Sequence, residues 1–140
     1  VRNEIEHIPY YGLTKGAALC LIEKSGNDFD QCALLAALLV ESGYTPIYHY
    51  GTMTIPLNAA NDMDMLSWLP ATNSNGVKRI LNWTGNPNFN PTGSNFNPVR
   101  VWIEVEVDGT ARLLDPAYKH YHGCKELGED NVFRLGHCKV

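Results

Sequence analysis

Apolar residues recur along this chain with three different spacings. Val1, Ile5 and Ile8 share one face of a helix, which Pro9 would end. Ala17 to Lys24 reads as a short helix stopped by Ser25-Gly26. Every residue from Cys32 to Val40 is apolar, so a helix there is predicted to be buried on all sides. Its start carries a capping-box pattern, with Asp28 as N-cap and Gln31 at the third helical position. Gly43 supplies a left-handed stop.

Period-two spacing takes over further on. Ile47 to Ile55 is rich in aromatic and β-branched residues and predicts a strand. Val99, Val101, Ile103, Val105 and Val107 alternate with Arg100, Trp102, Glu104 and Glu106. Asp108-Gly109 is the preferred two-residue type I′ turn, and Thr110 to Leu114 is the returning strand. In that register Val107 faces Thr110 and Trp102 faces Asp115. Arg100 then becomes the diagonal neighbour of Asp115, about 7–8 Å away and within reach of a long side chain. Residues 58–98 break both periodicities, with eight Asn between Asn73 and Asn97 and many Asn-Pro and Asn-Gly turns. Two short helices are expected inside this stretch, at Met63–Trp68 and Val77–Trp83.

The bulk properties narrow the class. A chain of 140 residues suits one domain, and 44% hydrophobic with 19% charged residues is ordinary for a soluble globular protein. The net charge of −4 and the lack of a Lys/Arg run argue against nucleic acid as a partner. The longest apolar run is far short of the ~20 residues needed to span a bilayer, so no membrane insertion is expected. No signal peptide is visible, and the chain opens on Val1. We therefore expect a piece excised from a longer protein.

Several stretches carry a family resemblance. Gly26-Asn-Asp-Phe-Asp-Gln-Cys-Ala-Leu-Leu-Ala-Ala-Leu-Leu-Val-Glu-Ser-Gly43 resembles the core helix of the transglutaminase-like superfamily, and Val99-Arg-Val-Trp-Ile-Glu with Leu114-Asp-Pro116 resembles its catalytic strand pair. Val1-Arg-Asn-Glu-Ile-Glu, Pro9-Tyr-Tyr-Gly-Leu-Thr-Lys-Gly16, Tyr48-His-Tyr-Gly51 and Leu114-Asp-Pro-Ala-Tyr-Lys119 are similar to transglutaminase-like domains of bacterial surface proteins with RHS/YD repeats. The likeness covers most of the chain except residues 58–98. It implies an α+β, papain-like fold, a single domain over 1–140 with a long Asn/Pro-rich insertion at about 58–98, and a secreted or cell-surface location. It also implies that Asp28, Arg100 and Asp115 stand at the positions of the family's Cys, His and Asp. Trp102, Glu104 and Pro116 match the surrounding pattern.

Those substitutions change the chemistry. A carboxylate at 28 cannot replace a thiolate nucleophile, and a guanidinium at 100 cannot act as general base. What survives is the charge pattern, in which Arg100 can bridge Asp28 and Asp115. The expectation is a non-catalytic, structural or peptide- or carbohydrate-binding module that needs no cofactor and works beside neighbouring domains of its parent protein. Trp68, Trp83, Trp102 and Glu104 are the candidate binding residues, with Phe89 and Phe96 as further aromatics. The alternative is an active cysteine enzyme using Cys32, one helical turn beyond Asp28. Against it, Cys32 begins an apolar run, where a thiol is inert. His120, His122, Cys124, His137 and Cys138 could supply zinc ligands. However, Gly123 interrupts the strand that would align the first three, so no metal is expected. A Cys124–Cys138 disulfide is as good a use of that pair.

Overall fold

In the computed structural model, residues 1–58, 64–69, 71–87 and 94–119 are described. The valine-rich hairpin forms the centre. Strand β6 (Val99–Val107) turns through Asp108 and Gly109, both with positive φ (51° and 72°), into β7 (Thr110–Leu114). Val107 pairs with Thr110 and Ile103 with Leu114, the register expected from the turn. Strand β3 (Ile47–Thr52) adds antiparallel to the other edge of β6, giving the order β3-β6-β7. The predicted strand at 47–55 thus ends early, and Ile55–Pro56 forms a separate strand β4, paired with β5 (Asn95–Phe96).

Helix α2 (Asp28–Glu41) packs on β6 through Cys32 and Ala36 against Val101 and Ile103. It is not buried all round: Leu34 and Ala36 are inside, while Leu38 and Val40 are exposed, because the sheet covers only one side of the helix. Helix α1 (Gly16–Glu23) lies beside it, closed by Lys24 in the left-handed conformation. A side chain at Gly26 would come within 2.9 Å of both Cys20 Sγ and Asp30 Cβ, so the two helices can approach only around a glycine.

The expected N-terminal helix is absent. Glu6–His7 instead forms β1, parallel to β2 (Ser25–Gly26). Ile5 still points inward, onto Cys20 and Leu34 with Val1 packed against them, while Ile8 is half-buried and belongs to none of the apolar clusters. Within the insertion, α3 (Met65–Trp68) and α4 (Ser74–Trp83) fall where short helices were expected. They build their own core with Ile55, Phe96 and Tyr118. The described elements thus make a mixed α+β arrangement, with a largely apolar helix on an antiparallel sheet and a second apolar cluster beside it.

Candidate functional site

The N-terminus of α2 is where buried polar groups concentrate. Asn27, not Asp28, is the N-cap: its side-chain oxygen accepts from Asp30 N at 2.9 Å, and its amide donates to the carbonyls of Tyr10 and Gly12. Asn27 wins because its amide can both cap the helix and hold the Tyr10–Gly12 loop, which a carboxylate cannot. Gln31 does not complete a capping box; it donates to Gly26 O at 2.7 Å. Asp30 is fully buried and accepts from the backbone N–H groups of Thr14, Lys15 and Gly16 and from the Tyr10 hydroxyl. It thereby ties the entry of α1 to α2. The sequence reading missed Asp30; the signal was the polar run Asn27–Gln31 leading straight into an apolar helix.

Asp28 is freed from capping to face the sheet. Strand β7 pairs with β6 only as far as Ile103, so the Val101 peptide has no strand beside it there. Asp28 Oδ2 accepts from Val101 N at 3.3 Å, and the Cys32 thiol donates to Val101 O at 3.4 Å. The helix end substitutes for the missing strand and satisfies backbone groups that burial would otherwise penalise. Burial pushes the Asp28 carboxyl up to about 6, and the nearby Arg100 charge opposes that rise only in part.

Arg100 sits at the centre of the site with no solvent exposure. Its guanidinium makes a two-pronged pair with Asp115, at 2.7 and 3.0 Å. Asp115 is held in turn by the N–H groups of Ala117 and Tyr118. The Nε atom lies 3.5 Å from Asp28 Oδ2 but makes no hydrogen bond among the described residues. The bridge expected from the hairpin register therefore exists as a strong arm to Asp115 and a purely ionic arm to Asp28. The guanidinium carbon stands 4.4 Å from the Trp68 ring centre and 5.1 Å from that of Tyr118, which places the charge against two aromatic faces. His7 stacks on Trp68 with ring centres 4.9 Å apart. Neither His7 ring nitrogen is exposed or has a hydrogen-bond partner among the described residues, and burial lowers its pKa to about 3, helped by Arg100 and Lys119.

Of the expected binding residues, Trp68 is buried, and its indole N–H donates to Ala117 O at 3.1 Å. It is a wall of the Arg100 site rather than a surface for ligand. Phe96 is likewise core. Trp102 is half-buried, stacked on His49, which pairs with Glu104 at 2.9 Å. Trp83 is exposed beside Arg79. The structure does not bring these four together. Phe89, His120, His122, Cys124, His137 and Cys138 lie outside the described residues. Among the described residues, no three His, Cys, Asp or Glu side chains stand close enough to hold a metal, and no helix is long and apolar enough to cross a membrane.

A recess of about 20 Å³ opens between His7, Tyr10, Asp28, Trp68 and Asn86. That is room for about one water, far from the several hundred Å³ of a usual ligand cleft. Cys32 is fully buried, and burial first, then Asp115 and Asp28, raise its thiol pKa well above the ordinary range. Iodoacetamide should therefore leave Cys32 unmodified in the folded protein and label it only in denaturant, as peptide mapping will report. Rapid labelling of the folded chain near neutral pH would mean that the thiol is accessible and activated.

Comparison with family models, with curated proteins and with solved structures finds no match to this chain.

Proposed function

We propose that this domain is a non-catalytic, transglutaminase-like module with a papain-like core, part of a larger secreted or cell-surface bacterial protein. The observation that carries the reading is the Arg100 guanidinium, fully buried and clamped by Asp115 beside Asp28. A group of this kind holds charge but neither attacks an acyl carbon nor shuttles a proton near neutral pH. The resemblance of the surrounding segments to that superfamily supplies the name; the geometry supports the loss of chemistry. On this reading the former reaction centre is a fastener. It pins the α2 N-terminus, the hairpin and the α3–Tyr118 wall together, and binding to neighbouring domains or to a peptide or carbohydrate falls to outer surfaces.

The experiment has two arms. The unmodified chain should neither incorporate amines into glutamine substrates nor hydrolyse peptides. Installing Asp28→Cys with Arg100→His places a thiol in the first turn of a 14-residue helix, facing an imidazole beside Asp115. If the family reading holds, that thiol should show a depressed pKa by pH-dependent alkylation. Turnover by the unmodified chain, abolished by Cys32→Ala, would instead establish the cysteine-enzyme alternative.

A further inference from the structure

We infer that the open edge of β3 is a self-pairing surface, which joins two copies of this chain through an antiparallel β3–β3 contact centred on His49. The β3 peptides point alternately toward β6 and away from it. Met53 N donates to Pro98 O at 3.0 Å, continuing the β3–β6 register by one residue. Hydrogen-bonded pairs alternate along an antiparallel ladder, so Gly51, His49 and Ile47 bond to β6. The N–H and C=O groups of Tyr48, Tyr50 and Thr52 then point away from it. An independent observation agrees. Val101, which lies opposite Tyr50, gives its N–H to Asp28 and takes the Cys32 thiol on its carbonyl, so its peptide groups face away from β3.

Among the described residues β3 pairs only with β6. Its outer edge is therefore a row of donors and acceptors with no strand beside it, a template on which a further strand can pair. The usual protections are missing. The strand Ile47-Tyr-His-Tyr-Gly-Thr52 carries no Lys and no Pro, and its register runs without a bulge. His49 is engaged with Glu104 of its own chain. Ile47, Tyr48 and Tyr50 are 54–61% exposed.

The sequence of the edge selects the occupant. Tyr48-His49-Tyr50 reads the same in both directions, so a two-fold axis at His49 sets Tyr48 opposite Tyr50 of the partner and Tyr50 opposite its Tyr48. Both positions have outward peptides, so each such pair exchanges two hydrogen bonds. The tyrosines share one face and meet as cross-strand aromatic pairs. Contacts of this kind are isologous and close after two copies. The result is a continuous six-stranded sheet. The contact is small, so self-association belongs at concentrations on the order of 10 µM to 1 mM.

Sedimentation of the full chain across that range should show a monomer–dimer equilibrium. His49 falls at a non-hydrogen-bonded position, where opposed Cα atoms lie roughly 4.5 Å apart, suitable for a disulfide. In a background with Cys124→Ser and Cys138→Ser, His49→Cys should cross-link on mild oxidation. Ile47→Cys should not, because it lies opposite Gly51 of the partner. Tyr48→Pro removes an outward N–H and the Tyr48 ring but none of the β3–β6 hydrogen bonds, a change an edge strand tolerates. It should leave the circular dichroism spectrum unchanged and weaken dimerisation about tenfold or more. A chain that stays monomeric at the highest concentration overturns the inference. So does a dimer that cross-links through position 47 or through neither position, and so does a dimer indifferent to Tyr48→Pro. Pairing of this edge with an added peptide while the chain itself remains monomeric also overturns it.

Discussion

Replacing Arg100 with Ala is expected to destabilise the domain by about 3–5 kcal/mol, the range for removing one partner from a buried ion pair. The size follows from what is left behind. Asp115 loses both prongs of its guanidinium contact, and Asp28, with only 8% of its side chain exposed, loses the Arg100 charge beside it. A space also opens beside the edge-to-face Trp68–Tyr118 pair, against which the guanidinium now rests. Urea unfolding followed by circular dichroism measures the change, and against a total stability of ~5–15 kcal/mol for a typical domain it is large. Arg100→Lys should recover only a minor part, since an ammonium cannot make the two-pronged contact or stack flat on the rings. A loss under ~1 kcal/mol for Arg100→Ala would mean that the buried cluster is not what fastens the three elements.

Acid should act on this domain through His7 and Asp28 in opposite directions. The folded-state pKa of His7 is lowered from 6.5 to about 3. Its contribution to stability is therefore complete above pH ~6.5 and drains away as the pH falls from there toward 3. For Asp28 the folded-state value is raised from 3.8 to about 6. The stability it confers is present below pH ~4 and is lost as the pH rises through 6. At about 1.4 kcal/mol per unit, His7 governs several kcal/mol and Asp28 a smaller share. His7→Phe, which keeps the stacking on Trp68, should flatten the loss of stability between pH 6.5 and 4. Asp28→Asn should match the parent near pH 4 and exceed it at pH 8 by a few kcal/mol, because the amide still accepts from Val101 N without a charge to bury. Denaturant unfolding at four or five pH values separates the two. Parallel curves for the parent and His7→Phe would show that His7 charges freely in the folded state.

How much of this was legible in the sequence depends on whether the signal was local. The hairpin register follows from Asp108-Gly109 and the valine alternation, and it delivered the Arg100–Asp115 pair without any knowledge of the fold. The α2 helix was equally plain. Its N-cap was not, because Asn27 and Asp28 are both good caps. What decides between them is the Tyr10–Gly12 loop on one side and the Val101 peptide on the other, neither of which lies nearby in sequence. The N-terminal segment failed for a similar reason. Val1, Ile5 and Ile8 fit a helical period, but only one turn forms, with Ile5 N donating to Val1 O, before Glu6 and His7 pair in parallel with Ser25 and Gly26 as a strand. The burial of Trp68 depends on Arg100, 32 positions later, so no local pattern distinguishes it from the exposed Trp83.

The fastening of Val101 by the α2 end has a kinetic side. Asp28 and Val101 are 73 residues apart, and Arg2 reaches 116 residues to the Tyr118 carbonyl. By contrast, Asp30 and the Thr14–Gly16 turn are neighbours that can meet early. Contacts of long sequence separation come at the expense of loop entropy before they return any stability. The α1–α2 corner is thus the natural place for folding to begin, and dehydration of the guanidinium cluster a late event. Interactions formed after the rate-limiting barrier set how fast a protein comes apart rather than how fast it assembles. The buried charges would then serve mainly as a latch on unfolding, and the lifetime of the folded domain, more than its speed of formation, is what the Arg100 cluster controls.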